Sequence, residues 1–437
     1  MAGRSPLRNA WLNASAKTSW LKTRLLIDLY GVRGRDGFDA LLPTEALEGF
    51  PSFALDVQAP LALHPTLTLT PRIVLLRQLP WWAFEEDTPA VVPVRTVVDR
   101  GRVGVDVGWQ AIPTVSISAG IEGYIDAVRE VSQGSQPAAL DFVDLRFAGE
   151  GVTNFLNGAV YGDAQIETGL FTLTVGSRAE LHSTYGPSMV PRVALTRVFP
   201  TGHLKLLVSG SFKAPSIANL QVNPDIRPER TRVVEGEAGL QLVEGIYVTF
   251  NAFDIEIRDP IVYFFNADIT DDGYANFDRT GTRGVEGELR YATGAIDLSA
   301  SYAFATAAGI NTVPNYAVQD DPSRLLGMPT HKAVARATFH LSDRVTFTPS
   351  VVLRSERAAI TSVDGDGNPV FTDLPASALV NAWLQVRDVA PGVNVGCGVQ
   401  NLLGEDFRLA QPYDSLHAPL PAFDREVMVR IGGGMPL

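Results

Sequence analysis

Apolar and polar residues alternate with a period of two along most of the chain, which is the pattern of half-buried β-strands. In residues 294–304, for example, Ile296 and Leu298 lie on one face of a predicted strand, and Asp297 and Ser299 lie on the other. The same alternation recurs in residues 66–75, 115–125 and 345–353. No segment has the apolar spacing of an amphipathic helix of three turns, so the pattern predicts an all-β fold.

The connections between these predicted strands alternate between short turns and long polar loops. The short ones contain the Gly, Pro, Asp or Ser that turns favour and lie at 64–65, 110–113, 167–169, 200–202, 243–245, 292–294, 342–344 and 390–392. The long ones are polar or irregular and lie at about 31–51, 80–92, 129–151, 182–189, 213–230, 262–280, 307–329, 356–377 and 402–422. Together they separate eighteen strands, and a further turn near 16–18 leaves a partial strand before the first.

Short turns at one end and long loops at the other are typical of transmembrane β-barrels, whose strands alternate between lipid and a wet lumen. A propeller or a set of sandwiches is the soluble alternative. The chain shows no repeated four-strand motif, and many runs last ten or more residues, as a tilted membrane strand requires. We therefore predict an antiparallel transmembrane β-barrel over residues 18–437, preceded by a partial strand or hairpin in residues 1–17.

Composition predicts a folded chain and excludes several other classes of protein. The 437 residues are 46% hydrophobic and only 19% charged, which excludes a disordered chain. No stretch of about 18 uncharged apolar residues predicts a membrane-spanning helix. The single cysteine, Cys397, excludes a disulfide framework. The net charge is −12, and no stripe of Lys or Arg suggests nucleic-acid binding.

Motifs of catalysis and cofactor binding are not recognised, so neither an enzyme nor a cofactor is expected. The six histidines lack metal-ligand spacing, and no metal site is predicted. Cys397 is expected to be a small packed residue in a strand. Residues 364–368 (DGDGN) resemble part of a calcium loop without its closing glutamate, and a plain turn is the preferred interpretation.

Two aromatic groups follow directly on predicted strands, at Trp81-Trp82 and at Tyr263-Phe264. Aromatic side chains form girdles at both membrane interfaces of outer-membrane barrels, which is one interpretation of these groups. The alternative is that Trp81, Trp82, Tyr263 and Phe264 contact a ligand at the outer rim.

A series of short motifs occurs in order between residues 159 and 407. Among them are AVYGDA at 159–164, SFKAPS at 211–216, NPDIRPE at 223–229 and RGVEG at 283–287. Their defining residues are Tyr161, Arg178, Pro191, Ala214, Pro215, Asn223, Pro224, Pro228, Glu229, Gly284, Glu286 and Asn401. In this order they resemble the C-terminal β-barrel of TonB-dependent outer-membrane receptors.

The resemblance implies a function. Members of that family take up scarce nutrients, such as siderophore-bound iron or cobalamin, and the partners TonB, ExbB and ExbD drive the import. By resemblance, the chain is expected to be a monomer in the lipid of the outer membrane of a Gram-negative cell. The nutrient ligand cannot be named from these motifs.

The chain also departs from the family pattern. Family barrels have 22 strands around an N-terminal plug, whereas about 18 strands are visible here. No plug, TonB box or signal peptide is recognised in this sequence. We therefore expect a family barrel that has lost its N-terminal portion. A passive pore without a plug and a truncated, non-functional receptor fragment remain the alternatives.

Overall fold

A computed structural model describes residues 8–18, 20–33, 47–49, 51–79, 82–83, 94–132, 152–264, 273–307, 309–364, 369–410, 419–422 and 424–433. The chain divides into two compact units. The first consists of Met1–Val193, Ser209–Arg230 and Ile261–Asn276, and the second of Ala194–Val208, Thr231–Pro260 and Phe277–Leu437.

In the first unit, eight long strands pair antiparallel, each with the next long strand along the chain. These are β1 (Arg8–Lys17), β2 (Lys22–Arg33), β4 (Ser52–Gln58), β6 (Leu67–Gln78), β8 (Val94–Ile112), β9 (Val115–Ser132), β10 (Val152–Glu167) and β11 (Thr172–His182). Three short strands add to their edges: β3 (Leu47–Gly49), β5 (Leu61–His64) and β7 (Trp82–Ala83). The chain continues through β12 (Gly186–Phe199), β13 (Gly202–Lys213), the helix α1 (Ile217–Val222) and β14 (Glu229–Val243).

The second unit repeats the same arrangement with eight long strands. These are β15 (Ile246–Arg258), β18 (Arg279–Ala292), β19 (Ile296–Thr306), β22 (His331–His340), β23 (Val345–Arg354), β26 (Ser377–Ala390), β27 (Val393–Gln400) and β30 (Glu426–Gly433). A 3-10 helix forms Pro314–Tyr316.

The strands agree with the sequence prediction. Seven of the eight predicted short turns join consecutive long strands, and the one at 64–65 joins the short β5 to β6. With β12, β13 and β14, the described residues contain nineteen long strands of these sheets, which correspond to the eighteen predicted and the first strand β1.

Several long connections are more ordered than predicted. Four of them contain two-stranded antiparallel sheets: β16 (Ile261–Phe264) with β17 (Gly273–Asn276), β20 (Ala317–Val318) with β21 (Asp321–Leu325), β24 (Arg357–Val363) with β25 (Pro369–Leu374), and β28 (Arg408–Leu409) with β29 (Leu420–Pro421). Each of these segments closes its own backbone hydrogen bonds locally.

The prediction of a long loop at 182–189 is wrong, since β12 already begins at Gly186. A stack of the His182 and Tyr185 rings, with centroids 3.9 Å apart, closes the turn. The backbone N–H of Thr184 also donates to His182 Nδ1 at 3.1 Å. The ring contact and this hydrogen bond let three residues connect the two strands.

The strands expose apolar side chains on one face and bury polar side chains on the other, which is the reverse of a soluble sheet. On one face large apolar side chains are exposed, as with Leu204, Leu206 and Val208 in β13, and we call it the apolar face. The opposite, polar face carries charged and polar side chains that are buried, such as Asp126 and Glu180. Such an inside-out pattern is typical of a barrel with lipid outside and a polar lumen.

Cys397 is exposed on the apolar face of β27, opposite Leu384 and Val429. The expectation of a packed cysteine was therefore wrong, because this face is the exposed one. Within the described part of the chain, no helix is both long enough and apolar enough to cross a membrane.

Candidate functional site

The helix α1 is a single ordered piece within a long connection, and its first turn is fixed by a capping box. The Ser216 hydroxyl accepts the backbone N–H of Asn219 at 3.1 Å, and the Asn219 side-chain oxygen accepts the N–H of Ser216 at 2.9 Å. Pro215, just before the cap, is buried. These contacts satisfy two of the N–H groups that a helix start leaves free.

The helix docks on the polar face of the first unit. Leu220 is only 2% exposed and packs against Val128 of β9 and Phe155 of β10, with Ile217 beside them. Val128 lies on the same face of β9 as Asp126, and so the helix covers part of the polar face. Apolar burial thus holds a connecting loop against a surface that is otherwise polar.

The segment after the helix is tied to the β16–β17 hairpin by three side chains. The Asn223 amide donates to the carbonyl of Tyr274 at 2.9 Å. Asn276 accepts the N–H of Arg227 and donates to the Arg227 carbonyl, at 2.8 and 2.9 Å. The Glu229 carboxylate accepts the N–H of Ile261 at 2.9 Å. We call α1, residues 223–229 and the β16–β17 hairpin the loop assembly.

The loop assembly presents an aromatic pair. Tyr263 and Tyr274 are directly opposite in the hairpin, and their rings meet edge to face with centroids 5.2 Å apart. Val262, on the other face of β16, is buried, whereas Tyr263 is 39% exposed. One face of the hairpin is therefore buried in the protein, and the other face exposes the Tyr263 ring.

The polar face beside the loop assembly carries a connected charge network. Glu122 lies between two guanidiniums: it contacts Arg102, and it accepts from Arg178 at 2.6 Å. Arg178 also donates to Glu180 at 2.9 Å, and Glu180 in turn accepts from the Tyr185 hydroxyl at 3.1 Å. Each charge has an opposite neighbour, so the network needs no counterion from solution.

A second ion pair borders the helix contact. Arg100 and Asp126 form two hydrogen bonds at 2.6 and 2.7 Å, and the Arg100 guanidinium lies 4.2 Å from the centre of the Tyr124 ring. The Phe155 ring, which contacts α1, stacks at 6.0 Å on His182. This arrangement offers hydrogen bonds, aromatic faces and fixed charges, which suit recognition of a ligand better than covalent catalysis.

A profile of the family described as TonB dependent receptor-like, beta-barrel, matches residues 101–402. This chain belongs to that family. No curated protein matches the sequence.

Solved structures of TonB-dependent receptors share the fold. The ferric enterobactin receptor PfeA of Pseudomonas aeruginosa is 13% identical, with a TM-score of 0.67, over 98% of this chain and 77% of that chain. The siderophore receptor PirA of Acinetobacter baumannii is 14% identical, with a TM-score of 0.73, over 98% and 71%. The FrpB iron transporter of Neisseria meningitidis is 12% identical, with a TM-score of 0.71, over 97% and 70%.

Two residues of the TonB-dependent receptor motifs come together on the polar face. Tyr161 and Arg178 are directly opposite across β10 and β11, and the Arg178 guanidinium lies 5.4 Å from the centre of the Tyr161 ring. The Tyr161 hydroxyl donates to Asp106. These motif residues therefore join the charge network to the strands around it.

Other motif residues shape the backbone. A Cβ on Gly284 would meet the Phe304 carbonyl and would lie 2.9 Å from the Phe253 ring, so only glycine fits there. A Cβ on Gly210 would lie 3.1 Å from the Pro191 ring. Asn401, at φ +49°, donates to the Glu405 carbonyl at 2.9 Å and accepts the Glu405 N–H at 2.8 Å.

The remaining motif residues have simpler surroundings. Pro228 is buried, Pro224 and Ala214 are partly buried, and Glu286 is exposed opposite Asn251.

The aromatic candidates are only partly placed. Trp81 lies outside the described residues, and Trp82 contributes backbone to β7 opposite Gly49. Phe264 contributes backbone to β16, opposite Gly273. Their roles stay predictions, as does that of Tyr263. Residues 365–368 of the calcium-like segment also lie outside the described residues.

The sequence interpretation did not single out Glu122, Glu180, His182, Tyr185 or Tyr274. A signal was present for the carboxylates, because Glu122 and Glu180 are charged residues within strands whose alternate positions are apolar. In an outer-membrane barrel such residues belong on the lumen side.

Proposed function

We propose that this chain forms the membrane wall and the ligand-recognising mouth of an outer-membrane receptor for an iron chelate of siderophore type. PfeA, PirA and FrpB are described as a ferric enterobactin receptor, a siderophore receptor and an iron transporter. Membership of the TonB-dependent receptors supports import coupled to TonB. At 12–14% identity these structures support the fold alone, so the ligand is part of the proposal.

The loop assembly is the observation that carries the proposal. A receptor needs fixed side chains where its ligand arrives, and an ordered loop held against the polar face can supply them. Leu220 is buried against polar-face residues, and Asn223 and Glu229 tie the hairpin that exposes Tyr263. The assembly is thus built to hold recognition groups in place.

The strand faces support a location in the outer membrane. Leu204, Leu206 and Val208 would meet lipid acyl chains, and the charge network around Glu122 would face the lumen. Charged side chains on the lipid side of a barrel cost about 2–4 kcal/mol at the midplane. The observed segregation avoids that cost.

Binding and conductance separate the receptor from the pore. The full chain, in outer-membrane fractions, is titrated with ferric enterobactin, ferric citrate and ferrichrome, and intrinsic fluorescence reports binding. A receptor gives saturable binding of at least one chelate, which Tyr263→Ala weakens and the exposed control Leu403→Ala does not. Uptake of the bound chelate is then expected to stop in cells that lack TonB.

A pore gives a different result. Steady ohmic conductance in planar bilayers, without saturable binding of any of the three chelates, would contradict the receptor proposal. It would favour passive diffusion through the barrel.

A further inference from the structure

Two arginines of the second unit lie against one phenylalanine ring. The guanidinium of Arg354 is 4.5 Å from the centre of the Phe407 ring, and that of Arg357 is 4.6 Å from it. Phe407 is only 7% exposed and Arg357 only 5%. Cation–π contact explains part of this packing, but it leaves two positive charges close together.

The backbone places these groups where strands meet the long connections. Arg354 ends β23 on its polar face, directly opposite Ser377, which begins β26. Arg357 begins β24, three residues after the last residue of β23. Phe407 follows the turn that Asn401 holds through its two hydrogen bonds with Glu405.

The hydrogen bonds of this cluster are incomplete. One terminal nitrogen of Arg357 donates to the carbonyl of Arg408 at 2.9 Å. The Arg357 Nε and the Ser377 hydroxyl are both buried without a hydrogen-bond partner among the described residues. Leaving a buried donor unpaired costs about 1–3 kcal/mol, and more for a charged group.

The charges of the cluster are also unbalanced. Within the residues that the structure describes, neither Arg354 nor Arg357 forms an ion pair with a carboxylate. Arg324, in the same unit, shows the usual arrangement, with Asp373 at 2.7 Å. Burial, and then the neighbouring Arg354, lower the pKa of Arg357 from the ordinary value of an arginine. Burial removes water from the Arg357 guanidinium, and Arg354 repels it.

We propose that Arg354, Arg357 and Ser377 form a binding site for an anionic oxygen group, with Phe407 as the platform that orients both guanidiniums. The two guanidiniums can only donate hydrogen bonds and the Ser377 hydroxyl can donate one more, and a carboxylate, catecholate or phosphate offers the matching acceptors. Resting on the proposed function, the site gives the receptor a preference for negatively charged iron chelates. Free phosphate is the other source of the same chemistry.

The test compares variants of the full chain in detergent by isothermal titration calorimetry. The probes are ferric enterobactin and ferric citrate, which are anionic, ferrichrome, which is neutral, and inorganic phosphate. Arg354→Gln and Arg357→Gln are expected to weaken binding of at least one anionic probe about ten-fold or more. The matched control Arg336→Gln removes an exposed arginine from the polar face of β22 and is expected to change affinity less than about two-fold.

Further variants keep the test independent of folding. Arg357→Lys keeps the charge but loses the planar fork, and it is expected to restore part of the affinity. Phe407→Leu keeps an apolar side chain without the aromatic platform and is expected to weaken anion binding. Heat-modifiable migration in gels shows that each variant is folded.

The outcomes separate this site from the proposed function. Equal affinities of the wild type and both glutamine variants for every anionic probe would overturn the site. Binding of ferrichrome alone would leave the receptor proposal standing without it. Binding of phosphate alone, weakened by Arg357→Gln, would support the site while the receptor proposal fails.

Discussion

The carboxylate of Glu229 accepts the backbone N–H of Ile261 at 2.9 Å and so joins the last motif residue of the loop assembly to the first residue of β16. Glu229→Ala is expected to release the hairpin locally, at a cost of about 1.5–3 kcal/mol, because a charge-assisted hydrogen bond is lost. Hydrogen exchange of the Ile261 amide measures the change.

The same carboxylate also pairs with Lys213 at 3.1 Å, but the Lys213 side chain is 70% exposed. Lys213→Ala is the control and is expected to leave the Ile261 amide protected, since exposed ion pairs contribute little. Equal protection of that amide in Glu229→Ala and wild type would show that the hydrogen bond does not hold the hairpin.

The Tyr161 ring occupies space that is free because Gly120, in the neighbouring strand β9, has no side chain. A Cβ on Gly120 would lie 2.6 Å from the Tyr161 ring, which pairs across from it. Gly120→Ala is expected to displace the ring and destabilise the barrel by about 1–3 kcal/mol. Gly158→Ala, where a Cβ meets nothing within 4 Å, is the control. Urea unfolding in lipid vesicles should separate them, and equal midpoints would contradict the packing argument.

Glu122 compensates two arginines at once, and its side chain is only 6% exposed. Glu122→Gln is expected to lower the free energy of unfolding by about 1–3 kcal/mol, because Arg102 and Arg178 lose their shared carboxylate. The control Glu288→Gln removes a more exposed carboxylate that pairs with Arg290. The network argument fails if the two variants unfold at the same urea concentration.

The two faces of β13 should respond differently to lysine. Val208→Lys places a charge on the apolar face near the middle of the strand, and we expect a loss of about 2–4 kcal/mol in a bilayer. Leu207→Lys places the same charge on the polar face and is expected to cost much less. Denaturant unfolding in vesicles measures both. A larger loss for Leu207→Lys would reverse the assignment of the faces.

The long strands and their turns could be predicted because each strand repeats the alternation of apolar and polar residues several times. The register of a strand pair did not follow from it, because register depends on the exact position of the turn. In the hairpin of β10 and β11, Glu167 pairs with Thr172, and counting outward from that turn places Tyr161 opposite Arg178. The turn predicted at 167–169 would instead pair residue 166 with residue 170 and so place Tyr161 opposite Val175, three residues away from Arg178.

The loop assembly could not be predicted in the same way. The strands β16 and β17 have four residues each, which is too short for an alternating pattern to be recognised. The pairing of Tyr263 with Tyr274 depends on where that hairpin turns. Likewise, Arg357 and Phe407 are fifty residues apart in two different loops, and no periodic pattern links them.

The eight long strands named for each unit pair in the order in which they follow one another along the chain. A wall of this kind can gain or lose one hairpin by duplication or deletion of a single gene segment. The remaining strands keep their direction and register, and the short turns stay at the same end. Barrel circumference can therefore change in evolution in steps of two strands, while the loops diverge independently as ligands change.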